Sequence, residues 1–190
     1  MLLLSGSPNR TGFVGWPDYA RPMRSHAVTG ATARSVFVTG GTGTGNHRLT
    51  AFDAALQAAG IHEANLIRIS SVTPASAETK HPTPTELAER IEAGAYHPTV
   101  YAQSTSNTPG ERVNAAVAGA RLEAGHGINV EHHGVNADEA EVRDACANMI
   151  EEMAARRGST IDGTTWVRYE TCTVPDDGAW SGAVAAILYA

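Results

Sequence analysis

Lysine is nearly absent: Lys80 is the only one in 190 residues, and the remaining basic side chains are arginines. Pyridoxal phosphate enzymes rest on a lysine Schiff base. Lys80 stands in a Thr79-Lys80-His81-Pro82 run that reads as a loop, so that cofactor is not expected. Charge of either sign is sparse at 18%, and its balance is -6 with a pI near 5.7. This argues against nucleic acid as a partner, because phosphate binding needs clustered Lys and Arg. Cysteines are few, Cys146 and Cys172; with no secretory signature beside them they fit a reduced, cytoplasmic setting. The opening Met1-Leu2-Leu3-Leu4 is too short for a signal-peptide core, and no apolar run reaches the length of a membrane span, so neither export nor a membrane is expected.

What is present is small and apolar. Hydrophobic residues make up 42% of the chain, with 19 glycines, enough for one packed domain. Residues 1–33 carry Gly6, Pro8, Gly12, Gly15, Pro17 and Pro22 with no hydrophobic period. They read as an extension outside the fold, or as a start placed too early, with Met23 the alternative. Organised sequence runs from residue 34. Ser35 to Thr39 reads as a strand and ends in the glycine run Gly40 to Gly45. Leu49, Phe52, Leu56 and Ala59 recur at helical spacing, with Thr50 and Asp53 a possible capping box and Gly60 a stop.

Asn65 to Val72 is a strand by composition, closed by Pro74. Residues 73–97 read as a loop, with a short helix launched at Thr83-Pro84-Thr85-Glu86 and running to Ala93. Thr99 to Ser104, Arg112 to Ala120 and Gly127 to His133 follow as strands. Asp138 to Arg157 is the strongest helix, with Ala140, Ala145, Met149, Ile150, Met153 and Ala154 on one side and Gly158 to end it. Thr164 to Val174 and Ala179 to Tyr189 finish the chain as strands, paired across Pro175-Asp176-Asp177-Gly178. Seven strands and two main helices make an α/β fold without βαβ regularity or an internal repeat.

Three features invite a chemical reading. The glycine run after a strand fails as a nucleotide site, because Asn46 stands where a third glycine or a phosphate-loop lysine belongs; it is expected to be a flexible loop feeding a helix. Glu131-His132-His133 is poor as a metal site, since neighbours on a strand point to opposite faces and no second ligand pair is spaced to help. Glu131 ends the apolar run Gly127-Ile128-Asn129-Val130, however, and partial burial favours the protonated form of a carboxyl, which suits a proton donor. Ser70-Ser71 follows what should be a buried strand and precedes Val72-Thr73-Pro74, where a strained turn can hold a hydroxyl against the preceding carbonyl.

The stretch Leu49-Thr50-Ala51-Phe52-Asp53-Ala54-Ala55-Leu56, then Ala59-Gly60-Ile61, then Asn65-Leu66-Ile67-Arg68-Ile69-Ser70-Ser71-Val72 resembles the signature of the pyruvoyl-dependent arginine decarboxylases. The likeness continues through Pro98-Thr99-Val100-Tyr101, Pro109-Gly110-Glu111, Gly127-Ile128-Asn129-Val130-Glu131 and the Ala-rich last strand, over roughly residues 35–190. The block around Ser70-Ser71 is its most specific part.

The resemblance implies an αββα sandwich with mainly antiparallel sheets, self-cleaved into a β chain ending at Ser70 and an α chain of residues 71–190. In it Ser71 Oγ attacks the Ser70 carbonyl, the resulting ester is eliminated, and Ser71 becomes the covalent pyruvoyl group. That ketone condenses with the substrate amine and accepts the electrons left by carbon dioxide. The resemblance further assigns Glu131 as proton donor, Asn65 as support for the cleavage site, Asp53 as the partner of the substrate guanidinium, and Leu49 and Ala64 as pocket-lining positions. Homotrimers with active sites between subunits are implied, as is L-arginine turned to agmatine for polyamine synthesis. His62-Glu63 departs from the family's Gly-Asn type of loop at the pocket edge. Two alternatives stay open: the same chemistry on another amino acid, such as aspartate or histidine, and an unprocessed homologue that only binds a small amine.

Overall fold

Residues with no side chain, or only a methyl, decide how this fold stacks. A computed structural model describes residues 32–190, and within them the elements run β1 (Ser35–Gly45), α1 (Arg48–Ala58), β2 (Asn65–Arg68), β3 (Val72–Thr73), β4 (Glu78–Lys80), α2 (Pro84–Ala88), β5 (Tyr96–Ser106), β6 (Arg112–Leu122), β7 (Gly127–Val135), α3 (Glu139–Arg156), β8 (Ile161–Thr173) and β9 (Trp180–Tyr189). The extension expected over residues 1–33 lies outside the described residues except at its end, where Ala33 already packs against the core.

One sheet has the order β2-β5-β9-β1-β4 and the other β3-β7-β6-β8. All pairings are antiparallel except β1 with β4 and β2 with β5. Side chains alternate across each strand, and the alternation sorts them into three layers. Val36, Val38, Val100, Ala102, Val113, Ala115, Val117, Ala183, Ala185 and Ile187 meet between the sheets. Ala116, Ala118, Ala120, Ile128 and Val130 face α3, while Val184, Ala186 and Leu188 face α1 and α2. The result is an αββα sandwich. Among the described residues no helix is long and apolar enough to cross a membrane.

The glycine run is not a loop. It continues β1 to Gly45, paired residue by residue with β9. Gly41, Gly43 and Gly45 face α1, and a Cβ on Gly43 would stand 2.5 Å from the Ala54 carbonyl carbon. Helix and strand therefore touch backbone to backbone, with Ala51, Ala55 and Ala59 of the helix region fully buried on the facing side. The helix starts earlier than its expected cap, because Thr50 Oγ1 accepts from the His47 backbone N–H at 3.1 Å. Leu49 consequently turns outward and is 73% exposed.

The last two strands do not pair with each other; they belong to different sheets. β9 is buried from Ser181 to Tyr189, as its central place between β1 and β5 provides, whereas β8 is an edge strand with a mixed outer face. The strand expected over residues 65–72 is split between the sheets and is largely exposed rather than buried, and β4 forms within the expected loop. α2 is shorter than its sequence pattern, held by a reciprocal Thr83–Glu86 capping box. α3 is capped by Asp138, whose Oδ1 accepts from the Glu141 N–H at 2.9 Å. Val142, Cys146, Ile150 and Ala154 form its buried stripe; Ala140 is exposed. Burial pushes the Cys146 thiol up to about 11.

Candidate active site

β2 ends at Arg68 in one sheet and β3 begins at Val72 in the other. Ile69-Ser70-Ser71 therefore carries the chain from one sheet to the other. Each end of the crossing is anchored: the Ile69 N–H donates to the Thr99 carbonyl at 3.2 Å, and the Asn129 N–H donates to the Ser71 carbonyl at 3.0 Å. Between them the Val72 N–H donates to the Ser70 carbonyl at 3.1 Å, a three-residue turn centred on Ser71. Ser70 is exposed and Ser71 half-buried.

Across from this turn lies β7. The β3–β7 register, Val72 opposite Ile128 and Thr73 opposite Gly127, continues to bring Ser71 beside Asn129. The Asn129 side chain is buried and donates to Thr73 Oγ1 at 2.8 Å and to the Tyr189 hydroxyl at 2.7 Å. Burial pushes the Tyr189 phenol up, against the pull of its bonds to Thr73 and Asn129. Two residues along β7, on the same face, Glu131 is 34% exposed and lies 3.6 Å from the Arg68 guanidinium. Arg68 also covers the Tyr101 ring, 4.1 Å from its centre.

Arg68 connects this cluster to a cavity of about 680 Å³ between α1, β5 and β7, lined by Arg48, Leu49, Phe52, Arg68, Gln103, Ser104, Thr105 and His133. Arg48 Nε donates to Thr105 Oγ1 at 3.1 Å at its rim. The lining carries basic and neutral polar groups beside the apolar Leu49 and Phe52. Among the described residues no cluster of three or more His, Cys, Asp or Glu is placed to hold a metal ion.

The structure thus brings Ser70, Ser71 and Glu131 to one junction, and Leu49 joins them through the cavity. Asp53, Ala64 and Asn65 are not among the lining residues. Asp53 is exposed on α1 and Ala64 is half-buried in the turn before β2. Asn65, at the opposite end of β2 from the crossing, donates from Nδ2 to the Gly94 carbonyl at 2.7 Å. Sequence reasoning passed over Arg68 and Asn129, and weighed His133 only as a metal ligand. An arginine inside the apolar run Leu66-Ile67-Arg68-Ile69, and Asn129 and His133 two residues either side of Glu131 on one strand face, are the signals that point to them.

Residues 35–190 match a family model described as pyruvoyl-dependent arginine decarboxylase (PvlArgDC). The chain is similar to a pyruvoyl-dependent arginine decarboxylase of Methanopyrus kandleri, 36% identical over 150 residues that cover 78% of this chain and 91% of that one. It is 36% identical over 154 residues to that of Methanothermobacter thermautotrophicus, covering 81% and 95%. With the one from Pyrococcus horikoshii it shares 32% over 161 residues, covering 85% and 98%. A solved structure of a pyruvoyl-dependent histidine decarboxylase at pH 8 overlaps 53% of this chain and 52% of its own, at 15% identity and a TM-score of 0.41.

Proposed function

The chain belongs to the pyruvoyl-dependent arginine decarboxylase family, and from that premise we propose that it splits itself between Ser70 and Ser71 and converts L-arginine to agmatine and carbon dioxide, feeding polyamine synthesis. Residues 34–190 form the decarboxylase domain, with a β chain ending at Ser70 and an α chain from residue 71.

The observation that carries this reading is the Ser70–Ser71 crossing. Its carbonyl is turned back by the Val72 N–H, and both flanks are anchored to different sheets. Cutting the bond therefore leaves residue 71 held by β7 and residue 70 held through Ile69, with no element to rebuild. Residue 71 fits the group it would become, since its carbonyl already has the Asn129 N–H as a donor and Glu131 follows on the same strand face.

In the cut, Ser71 Oγ bonds to the Ser70 carbonyl carbon, the amide C–N bond breaks, and the hydroxyl proton passes to the freed nitrogen, leaving an ester. Loss of the Ser71 Cα proton with breakage of the Cβ–O bond releases the chain ending in the Ser70 carboxylate. The dehydroalanine left at position 71 tautomerises to an imine, and water replaces ammonia to give the ketone. A pyruvoyl ketone supplies an electron sink for the pair that carbon dioxide leaves behind. Glu131 returns a proton to the substrate carbon, Asp53 holds the guanidinium, Leu49 and Ala64 line the pocket, and Asn65 supports the cleavage segment by fixing the start of β2.

That Asp53, Ala64 and Asn65 stand apart from the cavity of a single chain, beside the exposed apolar side chains of Leu49 and Ile67, supports a homotrimer whose sites are completed between protomers. The setting is cytoplasmic. The test is the intact mass of the protein under denaturing conditions beside Ser71→Ala. The expected result is two chains split after Ser70, the second without a free amino start, and a whole Ser71→Ala chain; a wild type that stays whole overturns the reading.

A further inference from the structure

We propose that Asn129 is a positioning residue for the cut, acting with Thr73 and Tyr189 as a clamp that sets the turn at Ser70-Ser71-Val72. The inference rests on the reading of Ser71 as the cleaved serine.

β3 is two residues long and sits at the edge of its sheet. So short a strand has few ladder bonds and frays on its own. Asn129 compensates from both sides of Val72. Its backbone N–H holds the Ser71 carbonyl at 3.0 Å, and its side chain holds Thr73 Oγ1 at 2.8 Å. The same Nδ2 reaches the Tyr189 hydroxyl at 2.7 Å, and that hydroxyl stands 3.2 Å from Thr73 Oγ1. Tyr189 belongs to β9, a central strand of the opposite sheet, so the clamp ties the crossing segment to the most buried part of the sandwich.

Three polar side chains, each under 10% exposed, meet at the edge of a layer rich in alanine, valine and isoleucine. Apolar residues would fill that space without needing partners; mutual hydrogen bonds add a fixed direction. That direction is passed to Val72, the residue between the clamped positions. Its N–H points at the Ser70 carbonyl oxygen, where negative charge gathers when Ser71 Oγ adds to the carbon. Loss of the clamp frees Val72 and misplaces that donor.

The test follows splitting of the full chain after pulsed cell-free translation, comparing wild type with Thr73→Val, Thr73→Ser, Tyr189→Phe and Asn129→Leu. Thr73→Val and Tyr189→Phe keep the shape and lose a hydroxyl; each is expected to split about tenfold more slowly, the scale of one lost hydrogen bond. Thr73→Ser keeps the hydroxyl and is expected to split at the wild-type rate. Hydroxylamine cuts an ester and spares an amide, so it is expected to leave the slowed variants whole at early times. Wild-type rates in Thr73→Val and Tyr189→Phe, equal slowing in Thr73→Ser, or full rescue by hydroxylamine would each overturn the clamp. If Asn129→Leu fails to fold, the two hydroxyl deletions decide. A wild type that never splits overturns the underlying reading instead.

Discussion

The Arg68 guanidinium lies 3.6 Å from the Glu131 carboxylate and 4.1 Å above the Tyr101 ring. Arg68 closes β2 in one sheet and Glu131 belongs to β7 in the other, so the pair bridges the sheets where the main chain itself crosses. At 51% and 34% exposure an ion pair of this kind adds little to stability. Its effect is directional: the planar arginine, seated on an aromatic face, gives the carboxylate a fixed partner two residues before Ser70. Arg68 itself lines the cavity together with Leu49 and His133.

With Glu131 as the proposed proton donor, Glu131→Gln is expected to separate decarboxylation from self-cleavage. A proton donor acting on the substrate carbon contributes about a hundred- to ten-thousand-fold, so kcat for arginine is expected to fall by that much with little change in KM. The chain is expected to split as the wild type does. Carbon dioxide release and intact mass on the same preparation check both; an unsplit Glu131→Gln would move Glu131 into the cleavage step.

Backbone contact between β1 and α1 makes Gly43 intolerant. A methyl there meets Ala54 and Ala55 backbone atoms at 2.5 Å, and the helix must shift at a cost of about 1–3 kcal/mol. Gly134 is the control, since its nearest neighbour to a new Cβ is Asn114 Oδ1 at 3.9 Å and surface-type changes stay within about 0.5 kcal/mol. Urea midpoints of Gly43→Ala and Gly134→Ala in the unsplit Ser71→Ala chain are expected to differ accordingly.

These two predictions differ in how far they were legible in the sequence. α3 was readable because its caps and its period are both local, and β9 was readable as a strand from its apolar run, though its place between β1 and β5 was not. Gly40 to Gly45 was not, since glycines read as loop unless the helix lying against them is known. Asn65 to Val72 hid its break because the apolar Leu66, Ile67, Ile69 and Val72 read as one strand, while the crossing is imposed by the stacking of the two sheets. Pro175-Asp176-Asp177-Gly178 has hairpin chemistry but carries the chain from one sheet to the other. Ser70-Ser71 and Glu131 stood out by residue type; Asn129 did not, because its partners Thr73 and Tyr189 are 56 and 60 positions away.

Glu170 makes stability depend on pH. Burial raises its carboxyl above the ordinary value of 4.5, and the adjacent Arg168 only partly offsets that. A carboxyl with a raised folded value binds its proton more tightly in the folded state. Its contribution is fully present below the unfolded value and is lost as pH rises through the folded one. Wild type compared with Glu170→Gln is therefore expected to lose ground as pH climbs from about 4 towards neutrality. Urea denaturation of both across that range, again in the Ser71→Ala background, measures the difference; parallel curves would mean that Glu170 titrates normally.

The proposed role of Asp53 in choosing the substrate is open to a direct test. It is exposed on α1 one turn beyond Leu49, which lines the cavity, and a carboxylate there pairs with a guanidinium and repels an acidic side chain. Asp53→Asn keeps the shape and removes the charge. Loss of a charge-assisted hydrogen bond is expected to raise KM for arginine about ten- to a hundred-fold, with a small effect on kcat because the guanidinium is remote from the carbon that loses carbon dioxide. Were aspartate the substrate, the same change would relieve repulsion and lower KM. Steady-state carbon dioxide release with arginine, aspartate and histidine, on wild type and Asp53→Asn, separates these outcomes. An arginine KM that does not move removes Asp53 from the guanidinium site while leaving the Ser71 chemistry intact, because the two lie on different elements.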